Sequence, residues 1–412
     1  MRGIHSWCGL LSGWLLFAVC LTGALTVFDN ELTYWMQPEL LEVSADAQDL
    51  LKTVQPVTAS LVQVDRWDVP GFTDRPSVLT VKLQEKRTFS GQTLNPITGE
   101  IISFRDTQGG DFFYHFHYGL LFGWPGAWIV GIAAVVMLIT LATGLYGHRS
   151  SIKDMVMVRL RSSPRAWVDA HNLTGVFAIP FHLMIAVTGL AMFWSIYSPV
   201  DIPVLRESDG IMPLLAVLHF AQFGGNPVRW LYFIMGLSAT VMIATGLVVW
   251  SMKRQRSQTD RSRFMSRRVV EVLNVATMAG LLVAVGTFFW ANRLLPLSLA
   301  ERSRWEVRCF FVVWGLCLVH SLCRRGSLRA WKDQLYGAAF LLGFLPLLNG
   351  LTTQSHLFVS VPRGQWAVAG VDVTGFTLGM LLGWAARRLN TAAVDISNDP
   401  TSIVSDQRPA QM

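Results

Sequence analysis

The chain has 412 residues, of which 52% are hydrophobic, 11% aromatic and only 15% charged. Soluble domains carry about 25% charged residues, so this composition excludes an ordinary soluble enzyme and indicates a polytopic membrane protein. The formal charge of +7 sits mostly in short loops between apolar runs, a pattern of membrane topology that no nucleic-acid-binding face would need.

Taken in chain order, the apolar runs predict eight helices, at about 7–28, 125–147, 171–196, 228–250, 271–290, 306–322, 335–350 and 364–386. Each crossing needs about 20 residues, so 306–322 and 335–350 are short. The first run reads as an uncleaved anchor, because it outlasts a typical signal-peptide core and further spans follow. Residues 29–116 hold 13 acidic and 7 basic residues. There a helix is expected over 45–59 with Ser44 as N-cap, strands at 60–65, 78–84 and 100–104, and a turn at Asn95-Pro96-Ile97-Thr98-Gly99-Glu100.

Basic residues crowd the opposite loops: Arg149, Lys153, Arg159, Arg161 and Arg165, then Lys253 to Arg268, then Arg324 to Lys332. The positive-inside rule therefore places both termini in the cytoplasm and 29–116 outside. The polar tail, 391–412, is expected to be disordered. The expected fold is an all-α polytopic membrane protein with an internally duplicated four-helix core and a small external α+β domain. Its parts are 1–28 (first helix), 29–116 (external domain), 117–255 (rest of the core), 256–390 (four further helices) and the tail.

The duplication carries the histidines. His5 precedes a span closing in Thr22-Gly23, and His171 precedes one closing in Thr188-Gly189; the interval from His to Gly is 18 residues in both. His117 precedes a span closing in Thr143-Gly144, and His219 one closing in Thr245-Gly246; both intervals are 27 residues. Repeats set architecture, and two such units would pack as a pseudo-symmetric four-helix bundle. His5 and His171 then fall at one membrane face, His117 and His219 near the other. Facing histidines at matched depth suit the two axial positions of haem iron, although the spacing alone does not separate haem from zinc or copper. The span glycines serve either close helix packing or room for a flat macrocycle.

His182 follows His171 by 11 residues, about 16 Å along the same helical face at about 1.5 Å per residue. Its counterpart in the first unit is Leu16. It could replace His117 or His219 as a ligand, or sit between two centres. His115 and Tyr118 flank His117 in an aromatic segment and are candidates, with His117, for the substrate side. His148, His320 and His356 lack repeat partners and read as structural or interfacial.

The segments His5-Ser6-Trp7-Cys8-Gly9, His117-Tyr118-Gly119-Leu120-Leu121 and His171-Asn172-Leu173-Thr174-Gly175, with the Thr-Gly span ends, resemble the PepSY-associated transmembrane family. The Asn95–Glu100 turn resembles the hairpin of its external PepSY-like domain. The resemblance covers roughly 1–255 and is looser beyond. Within the family the chain is most similar to inner-membrane ferric-siderophore reductases of Gram-negative bacteria. That implies haem b, two per chain, held by His5, His117, His171, His182 or His219, and reduction of a ferric siderophore, possibly of hydroxamate type, that releases Fe(II) on the periplasmic side. No GxGxxG fingerprint is present, so electrons would come from quinol or from a cytoplasmic reductase and not from bound NAD(P)H. The competing readings are an iron-chelate permease without redox activity and a regulatory or assembly membrane protein.

Overall fold

The computed structural model describes residues 2–39, 62–65, 80–85, 88–93, 105–147, 164–198, 211–255, 261–324, 326–353 and 355–398. Helices dominate. An apolar chain in lipid must satisfy its backbone within itself, and the helix does so locally.

The first half comprises α1 (Arg2–Thr26), α2 (Asp29–Met36), α3 (Asp111–Gly119), α4 (Gly123–Gly147), α5 (Pro164–Phe177), α6 (Ile179–Tyr197), α7 (Met212–His219) and α8 (Gly225–Gln255). The second half comprises α9 (Arg261–Asn274), a π turn at Val275–Ala279, α10 (Gly280–Leu294), α11 (Arg302–Cys323), α12 (Ser327–Gly343), α13 (Leu345–Thr352), α14 (Leu357–Ser360) and α15 (Trp366–Asn398). Seven helices are long and apolar enough to cross a membrane, and α12 with α13, bent by 41°, makes an eighth candidate.

Three departures from the expected spans have local causes. The third span is broken at Ala178 (φ −99°, ψ 10°), and only Ile179–Tyr197 is long and apolar enough to cross. Pro180 explains the break: it has no N–H and its ring opposes a continuous helix, but it is tolerated in the first turn of a new one. The expected crossing at 335–350 is divided at Phe344, with Pro346 starting the second piece. The last helix runs to Asn398, into the stretch expected as a disordered tail.

Between α2 and α3 three strands, β1 (Val62–Asp65), β2 (Thr80–Glu85) and β3 (Thr88–Thr93), pair antiparallel in the order β1-β2-β3. The register runs Val62 opposite Leu83 and Thr80 opposite Thr93. The third strand is 88–93, where none was expected. The expected strand at 100–104, the helix at 45–59 and the Asn95–Glu100 turn lie outside the described residues.

The first half closes into a ring. Helix α1 packs on α4 and α8, while the broken span completes the circuit with α6 on α4 and α5 on α8. Ile129, Ile132, Val135 and Ile139 of α4 are exposed at helical spacing, a stripe that meets lipid.

In the second half α10 is central, with 78% of its apolar window buried. Helices α12 and α15 approach closely at Gly343 and Gly379, where a Cβ on Gly379 would lie 2.4 Å from the Gly343 nitrogen. The π turn joins the halves. The indole nitrogen of Trp314 donates to the Ala276 carbonyl at 2.9 Å. Beside the turn, Asn274 accepts from Trp14 at 2.8 Å and donates to Ser251 at 3.0 Å. A loosened backbone ladder of this kind offers carbonyls to other partners.

A buried ionic network ties the ends of the second half to the segments flanking the sheet. Arg302 and Glu306, both fully buried, pair at 2.6 Å. Glu306 also accepts from Thr107 at 2.5 Å and Asn292 at 2.9 Å. Asp106 accepts from the Ser303 hydroxyl at 2.8 Å. Arg293 donates to the Trp35 carbonyl and to Asn349, at 2.9 Å for the latter, while Asp372 accepts from Trp35 at 2.7 Å and Asn349 at 3.0 Å. On the first half, Arg229 clasps Glu31 at 2.6 Å.

Candidate functional site

Four histidines meet in two pairs, one at each end of the first bundle. His5 of α1 faces His171 of α5, with ring centroids 6.1 Å apart. His117 of α3 faces His219 of α7 at 6.4 Å. One pair lies at the loop end of the bundle, the other at the β end, from which residues 29–110 depart.

The spacing has chemical meaning. Two imidazole nitrogen–metal bonds of about 2.0 Å, extended by about 1.2 Å to each ring centre, put axial centroids roughly 6.4 Å apart.

Each ring is held by its Nδ1. His5 Nδ1 lies 2.9 Å from the Thr140 carbonyl, His117 Nδ1 2.8 Å from Val19, and His171 Nδ1 2.8 Å from Met242. A carbonyl can only accept, so in these three the Nδ1 carries the proton and Nε2 keeps its lone pair. That is how a protein fixes the tautomer and orientation of a metal-binding imidazole. His219 differs: its Nδ1 lies 2.9 Å from the Thr188 hydroxyl.

Each ring rests on a glycine of another helix. A Cβ on Gly144 would come within 3.1 Å of His5, on Gly23 within 2.6 Å of His117, on Gly246 within 2.9 Å of His171 and on Gly189 within 2.9 Å of His219. Any larger residue would push the imidazole out of position. These are the four span-closing glycines of the repeat. Spacing linked His5 to Gly23 and His117 to Gly144, but in space the partners are exchanged: His5 sits on Gly144 and His117 on Gly23. The second unit exchanges in the same way.

A cavity of about 250 Å³ separates the loop-end pair, lined by Gly9, Gly13, Gly144, Gly175 and Gly246 together with both histidines. Glycines on four helices leave space that side chains would fill. At the β end, burial lowers the His117 pKa. Burial, and then the neighbouring His117, lowers that of His219 to about 4. Both are therefore neutral at ordinary pH, the form in which imidazole binds metal.

The chain is sharply turned after each β-end histidine. Leu120 and Leu121 after His117, and Ala221 after His219, have positive φ of 52°, 58° and 53°. Left-handed conformations at non-glycine residues carry strain and cluster at functional sites.

His182 belongs to neither pair. It is 1% exposed, beside Phe181, and neither ring nitrogen has a hydrogen-bond partner of acceptable geometry, although the Met235 backbone is adjacent. The break at Ala178 interrupts the continuous helical face that was to align it with His171. His115 is exposed at the β end, with Nδ1 2.8 Å from the Asp111 carbonyl. Its ring, Tyr114 and Tyr118 form a cluster with centroids 5.1 to 5.6 Å apart. Burial, followed by Tyr118 and Tyr197, raises the Tyr114 pKa. His320 neighbours Asp333 at 3.4 Å and Gln334. His356 precedes α14, and His148 is outside the described residues. Among the described residues, no three or more His, Cys, Asp or Glu side chains are grouped so that they could hold a metal ion; the histidines here meet in pairs.

A family model described as the PepSY-associated TM region matches residues 2–208 and 198–253. The chain belongs to this family. The match covers the two histidine units and ends where the second half begins. An uncharacterized protein of Pseudomonas aeruginosa is 29% identical over 184 residues, which is 43% of this chain. The aligned part spans 42% of that protein's length, so the likeness does not extend to whole-protein activity.

Proposed function

We propose that this chain is a membrane oxidoreductase whose first half is a duplicated bundle carrying two b-type haems, and that it passes electrons across the bilayer to a ferric siderophore. The carrying observation is the repetition, at both ends of the bundle, of an imidazole pair at axial-ligand spacing, each ring resting on a glycine. His5 and His171 would hold one haem, His117 and His219 the other. Haem bound there supplies a one-electron Fe(III)/Fe(II) couple.

The protein's own groups do the rest. The Val19, Thr140 and Met242 carbonyls and the Thr188 hydroxyl keep the Nδ1 protons and so orient Nε2. The four glycines supply clearance for the rings. Basic loops support placing the loop end in the cytoplasm of a Gram-negative bacterium, at its inner membrane, and the β end, with a PepSY-like domain of which the three strands are part, in the periplasm. Tyr114 and His115, exposed, and the half-buried Tyr118 then lie beside the outer pair, where hydroxyl and imidazole groups could meet a polar chelate. The siderophore as substrate class rests on the family resemblance. Hydroxamate oxygens are hard donors that hold Fe(III) far better than Fe(II), so one-electron reduction of the bound metal frees it and leaves the chelator intact. Electrons would enter from quinol or a cytoplasmic reductase.

The test uses purified full-length protein. Two b-type haems per chain are expected, and the reduced spectrum should be reoxidised by a ferric hydroxamate while a ferrous chelator traps the product. A protein that takes up no haem would refute the proposal. The broken third span is the one observation favouring a permease; transport of the intact chelate by haem-free protein in liposomes would be its signature.

A further inference from the structure

The four imidazole seats are built to one plan. In each, a helix carries a threonine directly before the seating glycine, and the threonine hydroxyl reaches the carbonyl four residues before that glycine. The distances are 3.1 Å for Thr22 to Val19, 3.2 Å for Thr143 to Thr140, 3.2 Å for Thr188 to Ile185 and 2.9 Å for Thr245 to Met242. In three seats that same carbonyl takes the histidine Nδ1–H. A carbonyl oxygen has two lone pairs and in a helix already accepts from the backbone. Each threonine makes a shorter bond to the carbonyl one residue earlier, at 2.7 to 2.8 Å, and so leaves the carbonyl beside the ring largely to the imidazole.

The fourth seat departs from the plan. His219 Nδ1 contacts Thr188 Oγ1 at 2.9 Å as well as bonding the Ile185 carbonyl, so its proton is shared between a hydroxyl and a carbonyl. Thr188 has one hydroxyl proton and spends it on the Met184 carbonyl, at 2.7 Å, so its oxygen accepts from the imidazole. A hydroxyl oxygen is a weaker acceptor than a peptide carbonyl. The His219 ring is thereby left with less imidazolate character than His5, His117 or His171, and is the poorest electron donor of the four.

We infer that Thr188 is a positioning residue that sets the β-end centre to a higher reduction potential than the loop-end centre, so that electrons run downhill toward the β end. The inference rests on the proposed function. A less electron-rich axial ligand stabilises the reduced metal, and a low-dielectric site enlarges the effect of one hydrogen bond.

The experiment is a potentiometric titration of purified full-length protein, followed by haem absorption. Two steps are expected in the wild type, and His171→Ala should remove the lower one. In Thr188→Val the imidazole proton goes wholly to the Ile185 carbonyl, as in the other seats. The upper step should fall by about 59 mV, a tenfold change in the one-electron equilibrium, with haem content retained. Thr188→Ser keeps the hydroxyl and should restore the wild-type value, which a purely structural role for the threonine methyl would not do. Thr245→Val should move the lower step by much less. An upper step that is unmoved or raised in Thr188→Val, with both haems present, overturns the inference and spares the proposed function. Wild-type protein without haem overturns both.

Discussion

In the first half of the molecule four half-buried imidazoles, each held through Nδ1, face one another in two pairs. In the second half buried carboxylates and guanidiniums hold one another. Glu306 and Asp372 accept hydrogen bonds on both carboxylate oxygens, and among the described atoms of Arg293 and Arg302 only the Nε groups lack a partner. Buried polar groups of either kind are costly in lipid, and the two halves compensate in different ways. A network that closes on itself is a clamp. A pair of facing rings with centroids 6.1 or 6.4 Å apart, each with a glycine behind it, does not close on itself in that way.

The family match separates the halves along the same line, since it covers 2–253 and stops before α9. The ends of α11 and α15 grip Trp35, Asp106 and Thr107, which flank the sheet segment. The second half thus braces the segments that flank the sheet as well as the bundle.

The sharpest way to break the comparison is His171→Ala. It should remove one of two haems and abolish electron transfer across the membrane, measured by haem quantification and by siderophore reduction in proteoliposomes, while thermal unfolding of the second half is little changed. Unchanged haem content would end the ligand role of the loop-end pair. Glu306→Ala tests the other half. It strands Arg302 as an uncompensated buried charge and should cost about 3–5 kcal/mol of stability, read as a lowered unfolding midpoint, yet leave haem per folded chain unaltered. A loss of haem at full stability would show that the network is no mere clamp. Gly23→Ala should have the smallest effect on folding, about 1–3 kcal/mol from overpacking, but should displace His117 and alter the absorption of the β-end centre alone. A normal spectrum there would mean that the ring does not need its glycine.

Much of the site could be read from the chain before any coordinates. The matched intervals from His5 and His171, and from His117 and His219, identified four histidines of equivalent depth in pairs. The recurring Thr-Gly dipeptide was visible as a span-end motif, but its threonines were not recognised as hydrogen-bond partners of the histidine seats. His182 could not be sorted from the others by spacing, because a count along the chain assumes a straight helix and Pro180 ends one. Arg293, Arg302, Glu306, Asn349 and Asp372 passed unnoticed; only the Arg302–Glu306 interval of four residues hinted at a pair. Their partners, Trp35, Asp106 and Thr107, are far away in sequence.

What the sequence by itself determined is the membrane character, the approximate crossings and the repeated rhythm of histidine and glycine. These are properties of consecutive residues: apolar length must match the thickness of hydrocarbon, and equal intervals can be counted along the chain. Only the tertiary structure decided which glycine receives which ring, that His5 meets His171 and His117 meets His219, and that the Thr188 hydroxyl also reaches the His219 ring. Those choices depend on how helices lie beside one another, and a spacing within one helix carries no information about its neighbour.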